Sequence, residues 1–251
     1  MIEPKAWTTI VVPCFNESAR LRSFEFAQFL ESCQAVRFLF VNDGSKDQTL
    51  AVLTTLQQGR EQRVQILNLV QNQGKGEAVR LGMLNAIQDT TVRYVGFWDA
   101  DLATPLDAIP ALVRELELAG HLNMVFGSRI RLLGREVHRK AARHYLGRVF
   151  ASVVSIVLGL PIYDTQCGAK IFRVTPDLSR ILAKPFLSRW VFDVEILARS
   201  IQLHAGDVDH LHRSVYEFPL QQWRDVSGSK VRPKDFLRAM IDVVKIKRSY
   251  L

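Results

Sequence analysis

Cysteine is scarce in this sequence, and its spacing excludes two common uses of the residue. Only three of the 251 residues are Cys, at positions 14, 33 and 167. Thiols so far apart match neither the paired framework of a small disulfide-rich domain nor the ligand spacing of a zinc site. Cys167 lies in a polar segment that contains glycine, where we expect a structural thiol rather than a reactive one.

Long apolar runs and targeting patterns are also missing. No run of about 18 uninterrupted apolar residues occurs, so the sequence predicts no membrane-spanning helix. Residues 1–5 lead directly into a strand-like segment and lack the pattern of a signal peptide. We therefore expect a cytoplasmic protein that is peripheral on the cytoplasmic face of a membrane.

The two commonest glycine-rich phosphate loops are absent. No Gly-x-Gly-x-x-Gly follows the first predicted strand, and no Gly-Lys-Ser or Gly-Lys-Thr occurs. These absences disfavour a dinucleotide-dependent oxidoreductase and a P-loop NTPase. With 48% hydrophobic residues, 14 Gly and 9 Pro, the composition is typical of a packed globular protein. We predict a single domain over residues 1–251.

Charge is distributed unevenly between the two halves of the chain. Residues 1–128 contain 11 Lys and Arg against 14 Asp and Glu, a net charge of −3, whereas residues 129–251 contain 22 against 11, a net charge of +11. Such asymmetry predicts that the second half meets an anionic partner: nucleic acid, phospholipid or a phosphorylated substrate. No RNA- or DNA-binding motif accompanies the cations, so we do not expect nucleic acid as the partner.

A basic segment precedes an apolar helix in the second half. Residues 129–148 contain seven Lys and Arg and one acidic residue. Downstream, Tyr145, Val149, Val153 and Ile156 recur at helical spacing. Two interpretations remain open: a helix lying in a membrane interface, with its cations at the headgroups, or a core-facing helix with a solvated basic end. The basic tail at 245–248 is a second candidate contact with anionic lipid.

Short apolar runs alternate with amphipathic stretches, a pattern that indicates an α/β fold with a mainly parallel sheet. We predict strands at 8–13, 36–41, 64–69, 94–98, 123–129 and 171–174, and an edge strand at 215–220. We predict helices at 21–30, 49–56, 76–87, 105–118 and 142–158, one that ends near 201, and one at 234–247. We assign residues 222–224 and 228–230 to a loop.

Acidic side chains follow several of the predicted strands: Glu17, Asp43, Asp47, Asp99 and Asp101. In open α/β sheets, ligands bind beyond the carboxyl ends of the strands. This shared placement predicts one site at that edge.

Asp99 and Asp101 follow the strand at 94–98 with one residue between them, so both can point the same way. Two carboxylates on a loop suit Mg²⁺ or Mn²⁺ held together with substrate phosphates. The alternative is an Asp-rich turn in which one Asp caps the next helix. Lys75, between two glycines, fits either a nucleotide contact or a flexible turn. For Asp193, position alone favours helix capping.

Four motifs in order along the chain resemble those of a known family. They are Val12-Pro13 with Asn16-Glu17, Asn42-Asp43-Gly44-Ser45 with Asp47, Gly74-Lys75-Gly76, and Asp99-Ala100-Asp101. Together they resemble the nucleotide-sugar half of the family 2 glycosyltransferases, and the resemblance covers nearly the whole chain. It implies the Rossmann-like GT-A fold, in which residues 1–128 bind a nucleotide sugar and residues 129–251 form acceptor-side and membrane-facing helices.

Within this family, three segments of the second half are most similar to the dolichyl-phosphate β-glucosyltransferases: Asp164-Thr165-Gln166-Cys167-Gly168, Arg189-Trp190-x-Phe192-Asp193-x-Glu195 and Gly228-Ser229-Lys230. The dolichyl-phosphate mannose synthases are near relatives. Mannose synthases often have Gln two residues after the second Asp, where this chain has Ala103, so the third metal ligand is not assigned.

The resemblance implies roles for individual residues. Those implied to bind the nucleotide sugar are Pro13, Asn16, Glu17, Asp43, Gly44, Ser45, Lys75, Asp99, Ser229 and Lys230, the last two on a loop that closes over the donor. Those implied to hold Mg²⁺ or Mn²⁺ are Asp99 and Asp101, with Asp101 the more direct ligand. Arg129 and Arg143 are implied to bind the acceptor phosphate, and Asp193 to be the catalytic carboxylate.

The implied activity is inverting transfer of a hexose, with glucose from UDP-glucose favoured, to a polyprenyl or dolichyl phosphate at a membrane surface. Alternatives remain: a GDP-mannose-dependent mannosyltransferase, transfer to a soluble hydroxyl acceptor, and a non-catalytic module that binds a nucleotide sugar or nucleic acid. A soluble acceptor leaves the seven-cation segment unexplained.

Overall fold

The structure is a computed structural model that describes residues 7–138, 141–226 and 233–251, with the side chains of 141–144 and 233–235 outside the description. Strands among these residues are β1 (Trp7–Cys14), β2 (Val36–Asp43), β3 (Val64–Leu69), β4 (Val92–Trp98), β5 (Met124–Ser128), β6 (Glu136–His138), β7 (Ala169–Arg173), β8 (Val215–Pro219) and β9 (Gln222–Arg224). Helices are α1 (Ser23–Ser32), α2 (Thr49–Gln57), α3 (Lys75–Ala86), α4 (Ala108–Leu118), α5 (Ala141–Leu158), α6 (Pro176–Leu182), α7 (Phe192–Leu203), α8 (Val208–Ser214) and α9 (Pro233–Tyr250).

Seven strands form one sheet in the order β3-β2-β1-β4-β7-β5-β8. The pairs β1–β2, β2–β3, β1–β4 and β5–β8 are parallel, whereas β7 runs antiparallel to both β4 and β5. The mainly parallel sheet flanked by helices confirms the predicted fold class. The carboxyl ends of β1, β2 and β4 therefore meet at one edge, and the reversed β7 begins at that same edge.

Helices cover both faces of the sheet. Successive side chains along a strand point to opposite faces, and β1 shows this clearly: Val11 packs into the core layer that contains α3 and α7, whereas Ile10 and Val12 pack into the layer that contains α1 and α4. All three are fully buried. Burial on both faces explains why the central strands are continuous apolar runs in the sequence.

Three predictions about local structure were wrong. Residues 222–224, assigned to a loop, form β9, which pairs in parallel with β6 in a separate two-stranded sheet. The fourth helix begins at Ala108 rather than at 104–105, because Pro105 and Leu106 accept hydrogen bonds in a turn that precedes it. The short helices α6 and α8 were not predicted; each has only seven residues.

Helices α5 and α9 expose apolar side chains as well as burying them. The two helices pack together through the Phe150 and Phe236 rings, whose centroids are 6.2 Å apart. Each also has an outward apolar stripe, and we call these two stripes together the apolar face. Its members are Tyr145, Leu146, Val149 and Ile156 on α5 and Leu237, Ile241 and Val244 on α9, each about half exposed or more.

Two side-chain hydrogen bonds fix helix α9 to α7 and to the segment that precedes α7. The Ser188 hydroxyl donates to Oδ2 of Asp242 at 2.8 Å, and the Tyr250 hydroxyl donates to Oε1 of Glu195 at 2.9 Å. Glu195 is fully buried and also pairs with Arg199. None of the described helices is both long enough and apolar enough to cross a membrane.

Candidate active site

Asp43, at the carboxyl end of β2, organises the loop between β3 and α3. Its two carboxylate oxygens accept hydrogen bonds from the backbone N–H groups of Gln73 and Gly74, at 2.7 and 2.9 Å, and from the side-chain amide of Asn72 at 2.8 Å. The residue is buried. Gly44 follows with a φ of +62°, and a Cβ there would collide with the backbone of residues 71 and 72. The Asn-Asp-Gly motif therefore fixes where Lys75 begins α3.

Lys75 forms a close ion pair with Asp99. Its Nζ lies 2.5 Å from Oδ1 of Asp99. The start of α3 and the loop after β4 therefore meet at this edge of the sheet. Burial alone would lower the pKa of Lys75, but the charges of Asp99, Asp193 and Asp101 outweigh burial and raise it. Lys75 therefore stays cationic at the centre of three carboxylates.

Asp99 and Asp101 form a tight turn after β4. The backbone N–H of Asp99 donates to the Gly168 carbonyl at 2.9 Å, and Oδ1 of Asp101 accepts from the N–H of Ala103 at 3.1 Å. Burial, and then the neighbouring charge of Asp99, raise the pKa of Asp101. Neither Asp caps the following helix, whose N-cap position is Asp107 without a side-chain capping bond. The capping alternative for this pair was therefore wrong.

The residues of this turn fit a divalent cation in one respect. Two carboxylates raise each other's energy when both are charged, and an oxygen-preferring cation relieves that repulsion. Gly168 makes room for the Asp99 carboxylate, because a Cβ at position 168 would collide with it. Among the described residues no group of three or more metal-binding side chains occurs. Substrate phosphates would therefore have to supply further ligands, as they commonly do for Mg²⁺.

Asp193 lies near the start of α7 and faces a buried lysine. Nζ of Lys170 is 2.7 Å from Oδ1 of Asp193, and the two side chains are 0% and 7% exposed. Burial raises the pKa of Asp193, and the charges of Lys170 and Lys75 act in the opposite direction. The helix N-cap is Val191, without a side-chain capping bond, so the expectation that Asp193 caps this helix was wrong.

Arg129 follows β5 and forms a bidentate pair with Asp164. The Nε and Nη2 atoms of Arg129 lie 2.6 and 2.7 Å from the two carboxylate oxygens. Burial would lower the pKa of Arg129, but Asp164 outweighs burial and raises it. Asp164 is itself placed by Glu217, whose Oε1 accepts the backbone N–H of Asp164 at 2.7 Å. The guanidinium is thus held in one orientation.

The remaining donor-side residues lie on the loops after β1 and β2. Pro13 pairs in register with Val41 near the ends of these strands. Asn16 has a φ of +51°, and its N–H donates to the Ser45 hydroxyl at 3.0 Å. Glu17 is buried, and its two carboxylate oxygens accept hydrogen bonds from Nε and Nη2 of Arg20. These contacts join the two loops into one wall of the site.

The structure does not place the side chains of three predicted site residues. Ser229 and Lys230 lie outside the described residues, and Arg143 is in α5 with its side chain outside the description. Their predicted roles stay predictions.

Sequence reasoning missed two members of the cluster. Lys170 received no role, and Asp164 was noted only as part of a motif. A signal for Lys170 is present, because a lysine between Ala169 and Ile171 in an apolar strand is placed where a charge needs a partner. Cys167 is fully buried, and burial raises its pKa to about 11, as expected of a structural thiol.

The cluster provides both charge types that a group transfer between phosphates needs. Asp99 and Asp101 offer anionic oxygens for a cation, Lys75 and Arg129 offer positive charge, and Asp193 offers a buried carboxylate. In a site with little water such charges act at higher strength than in bulk solvent.

Comparison with known proteins identifies the family. The model of the glycosyl transferase family 2 matches residues 9–178. A dolichyl-phosphate beta-glucosyltransferase of Trichomonas vaginalis is 32% identical over 96% of this chain and 71% of its own. The mouse dolichyl-phosphate beta-glucosyltransferase is 29% identical over 99% of this chain and 77% of its own.

Among solved structures, glucosyl-3-phosphoglycerate synthase of Mycobacterium tuberculosis in complex with UDP has a TM-score of 0.66 and 17% identity, covering 97% of this chain and 80% of that one. The same enzyme was crystallised with Mn²⁺, UDP-glucose and phosphoglyceric acid, at a TM-score of 0.65 and 17% identity over 97% and 80% of the two chains. At this identity the likeness concerns the fold. The family match and the relatives that align along nearly the whole chain agree with the site geometry: this chain belongs to glycosyltransferase family 2.

Proposed function

We propose that the protein transfers glucose from UDP-glucose to a polyprenyl or dolichyl phosphate, with inversion at the anomeric carbon. The observation that carries the proposal is the single charged cluster of Lys75, Asp99, Asp101, Asp193 and Arg129 at one edge of the sheet. Relatives named dolichyl-phosphate beta-glucosyltransferase, which align along nearly the whole of this chain, support the choice of glucose and of a lipid phosphate. The M. tuberculosis enzyme of the same fold was crystallised with UDP-glucose, which supports UDP-glucose as the donor.

The donor binds, in this proposal, against the wall formed by the loops after β1 and β2. Pro13, Asn16, Glu17, Asp43, Gly44 and Ser45 contact the base and ribose, and Lys75 and Asp99 contact the diphosphate side. Ser229 and Lys230 close over the donor. Because Asp43 already accepts three hydrogen bonds, its main contribution is to hold the loop that carries Lys75.

The predicted metal ion is Mg²⁺ or Mn²⁺, held by Asp101 and Asp99 together with the donor diphosphate. When bound, it supplies Lewis-acid stabilisation of the charge that develops on the leaving nucleotide. Mn²⁺ in the M. tuberculosis enzyme of the same fold supports this prediction. Lys75 provides positive charge at the same oxygens, since its Nζ already lies against Asp99.

The acceptor phosphate binds to Arg129 and Arg143. Arg129 is oriented by Asp164 before any ligand arrives, so little ordering is required when the phosphate docks. Alignment of the phosphate oxygen with the anomeric carbon can supply several kcal/mol of rate acceleration.

Asp193 acts as a fixed negative charge beside the sugar. A phosphate monoester has its second pKa near 6, so at neutral pH the acceptor is already largely a dianion and needs little deprotonation. Asp193 therefore orients the sugar and stabilises positive charge on its ring. With an alcohol acceptor the same carboxylate would have to remove a proton.

The apolar face of α5 and α9 provides the contact with the membrane in which the acceptor is dissolved. Three leucine-sized side chains on α9 and four on α5 are exposed, more than scattered surface residues account for. Basic residues border this face, including Lys247 and Arg248 in the last turn of α9. This combination favours an anionic lipid surface, and we place the protein on the cytoplasmic face of that membrane.

The test is transfer of radiolabelled hexose from UDP-glucose or GDP-mannose to added polyprenyl phosphate, with Mg²⁺, Mn²⁺ or EDTA. Label that enters the organic phase from UDP-glucose, and only with lipid phosphate and metal present, is the expected result. Label that enters the organic phase from GDP-mannose instead would identify GDP-mannose, not UDP-glucose, as the donor.

Metal-dependent release of UDP without labelled lipid would indicate a soluble hydroxyl acceptor and would overturn the lipid assignment. No turnover with any donor, combined with tight UDP-glucose binding, would indicate a binding module. Binding to duplex DNA that falls steeply with salt, without response to UDP-glucose, would indicate a nucleic-acid partner.

A further inference from the structure

Lys170 is a fully buried cation that makes two hydrogen bonds and one ion pair. Its Nζ lies 2.9 Å from the Thr165 carbonyl, 2.5 Å from the Cys167 carbonyl and 2.7 Å from Oδ1 of Asp193. The two carbonyls accept hydrogen bonds from the ammonium group, and the Asp193 carboxylate balances its charge as an ion pair. The side chain is 0% exposed.

Apart from these acceptors, the surroundings of this side chain are apolar, with two aromatic rings at a distance that allows a weak cation–π attraction. The rings of Phe97 and Phe126 lie about it, with centroids 5.3 and 5.0 Å from Nζ, and Ile171 beside it in β7 is fully buried. Removing a charge from water is costly, and apolar side chains of similar size often stabilise such positions as well as or better than an ion pair. The charge of Lys170 therefore serves Asp193 and the turn before β7.

That turn connects Lys170 to the other parts of the site. The two carbonyls it binds belong to residues 165 and 167, and the next carbonyl, of Gly168, accepts the backbone N–H of Asp99. At the other end of the same turn, Asp164 holds Arg129. One ammonium group thus fixes the segment between the donor-side and acceptor-side charges.

We propose that Lys170 is a positioning residue of the transfer reaction, which holds the Asp193 carboxylate in the orientation and charge state needed beside the sugar. The inference rests on the proposed function, because it assigns Lys170 a role that acts through Asp193. Lys170 itself touches neither donor nor acceptor.

The charged groups that face Asp193 come from three elements. Lys170 lies on β7, Lys75 on α3 and Asp99 on the loop after β4. Both lysines favour the ionised carboxylate, while burial and Asp99 disfavour it. Loss of Lys170 leaves only Lys75 to oppose burial, so protonation of Asp193 becomes easier.

The test is a double-mutant cycle of Lys170→Met, Asp193→Asn and the combined variant, with kcat and KM for UDP-glucose measured for each. We expect each single variant to lower kcat about 100-fold with KM changed by less than about threefold. Because Lys170 acts through Asp193, the double variant should be no slower than Asp193→Asn. Effects that multiply, or a Lys170→Met variant with kcat within about threefold of the wild type, would overturn the proposal.

Arg173→Met is the matched control. Arg173 lies three residues further along β7 and also donates to two backbone carbonyls, of Leu122 and Leu116, but near the opposite end of the strand. Its effect on kcat should be small and should multiply with that of Asp193→Asn, because the two sites are independent.

The pH profile supplies a readout that packing alone does not move. In Lys170→Met the acidic limb of kcat should shift to higher pH, since Asp193 loses its nearest cation, while Lys170→Arg, which keeps the charge, should shift it less. Unchanged limbs in both would overturn the proposal. If Lys170→Met does not fold, Lys170→Arg carries this comparison.

A failure of the proposed function can be distinguished from a failure of the Lys170 proposal. A wild-type protein that labels no lipid overturns the acceptor assignment, and the same cycle is then measured on metal-dependent release of UDP from UDP-glucose. If the wild type labels lipid but the effects of Lys170→Met and Asp193→Asn on kcat multiply, only the role of Lys170 is overturned.

Discussion

The two halves of the site hold their carboxylates by different means. On the proposed donor side, residues 7–128, backbone N–H groups donate hydrogen bonds to the carboxylates: Asp43 accepts from residues 73 and 74, and Asp101 accepts from residue 103. On the proposed acceptor side, ion pairs contribute more: Arg129 pairs with Asp164 and Lys170 with Asp193. Asp164 also accepts the backbone N–H groups of Arg129 and Gln166. The Lys75–Asp99 and Arg20–Glu17 pairs are exceptions among residues 7–128.

This difference predicts different sensitivities to substitution. A carboxylate held by backbone N–H groups keeps its position when a neighbouring side chain changes, and Asn can often replace its acceptor oxygen. A buried ion pair that loses one member leaves an uncompensated charge, which costs more than the pair itself contributes. Donor-side variants should therefore lose activity with little loss of stability, whereas acceptor-side variants should lose activity and should also have a lower free energy of unfolding.

The largest effect should come from Asp101→Asn. Asn keeps an oxygen for the N–H of Ala103 but removes the charge proposed to hold the cation, so we expect turnover to fall about 1,000-fold with little change in melting temperature. Asp107→Asn, at an exposed position without a side-chain capping bond, is the control for loss of a nearby carboxylate. Metal-dependent activity within about tenfold of the wild type would remove Asp101 from the metal site.

Arg129→Lys should have the next largest effect and should act on the acceptor. Lysine cannot reproduce the bidentate contact with Asp164, so we expect kcat/KM for polyprenyl phosphate to fall about 100-fold with KM for UDP-glucose unchanged. Arg180→Lys, at an exposed pair with Asp177, should change neither constant. An equal rise in both KM values would show that the two halves do not divide the substrates.

The apolar face should produce a smaller change, limited to membrane binding. Replacement of Leu237, Ile241 and Val244 together by Gln should lower partition onto anionic vesicles about tenfold, because apolar area is lost from the contact. The matched control is Phe24→Gln with Leu118→Gln, which are 75% and 71% exposed on the donor half. Equal losses in both variants would contradict a specific lipid-facing surface.

The smallest change concerns Asp47 and acid. Burial acts to raise the pKa of Asp47, but hydrogen bonds from Thr49 and Ser18 to its carboxylate outweigh burial, so the pKa is lowered. Its contribution to stability is therefore present above the unfolded pKa of about 4 and is lost as pH falls through the lower folded pKa. The melting temperature of Asp47→Asn should converge with that of the wild type below that range; a gap that persists or widens in acid would contradict this account.

The sheet could be predicted from the sequence where strands are short apolar runs bounded by turn residues. Predicted strand 64–69 matches β3, and the carboxylates that follow β1, β2 and β4 do lie at one edge. Local pattern sufficed there, because buried parallel strands need apolar side chains on both faces.

Long-range pairings could not be predicted in this way. Strands β6 and β9 have three residues each and pair across more than 80 positions, so neither carries a periodic signal. The pairing of Lys170 with Asp193 depends on how β7 packs against α7, which local spacing does not contain. For the same reason, position near a helix start was a poor guide to Asp193.

The reversed strand also determines when the sheet can be completed during synthesis. Until residues 169–173 are available, β4 pairs only with β1, and its other edge offers unpaired N–H and C=O groups beside fully buried side chains such as Val95 and Phe97. Such an edge is a template for wrong pairing with other chains. Pairing with β7 therefore does two things in a nascent chain: it brings the Gly168 carbonyl to the N–H of Asp99, and it covers an edge of β4 at which aggregation could start.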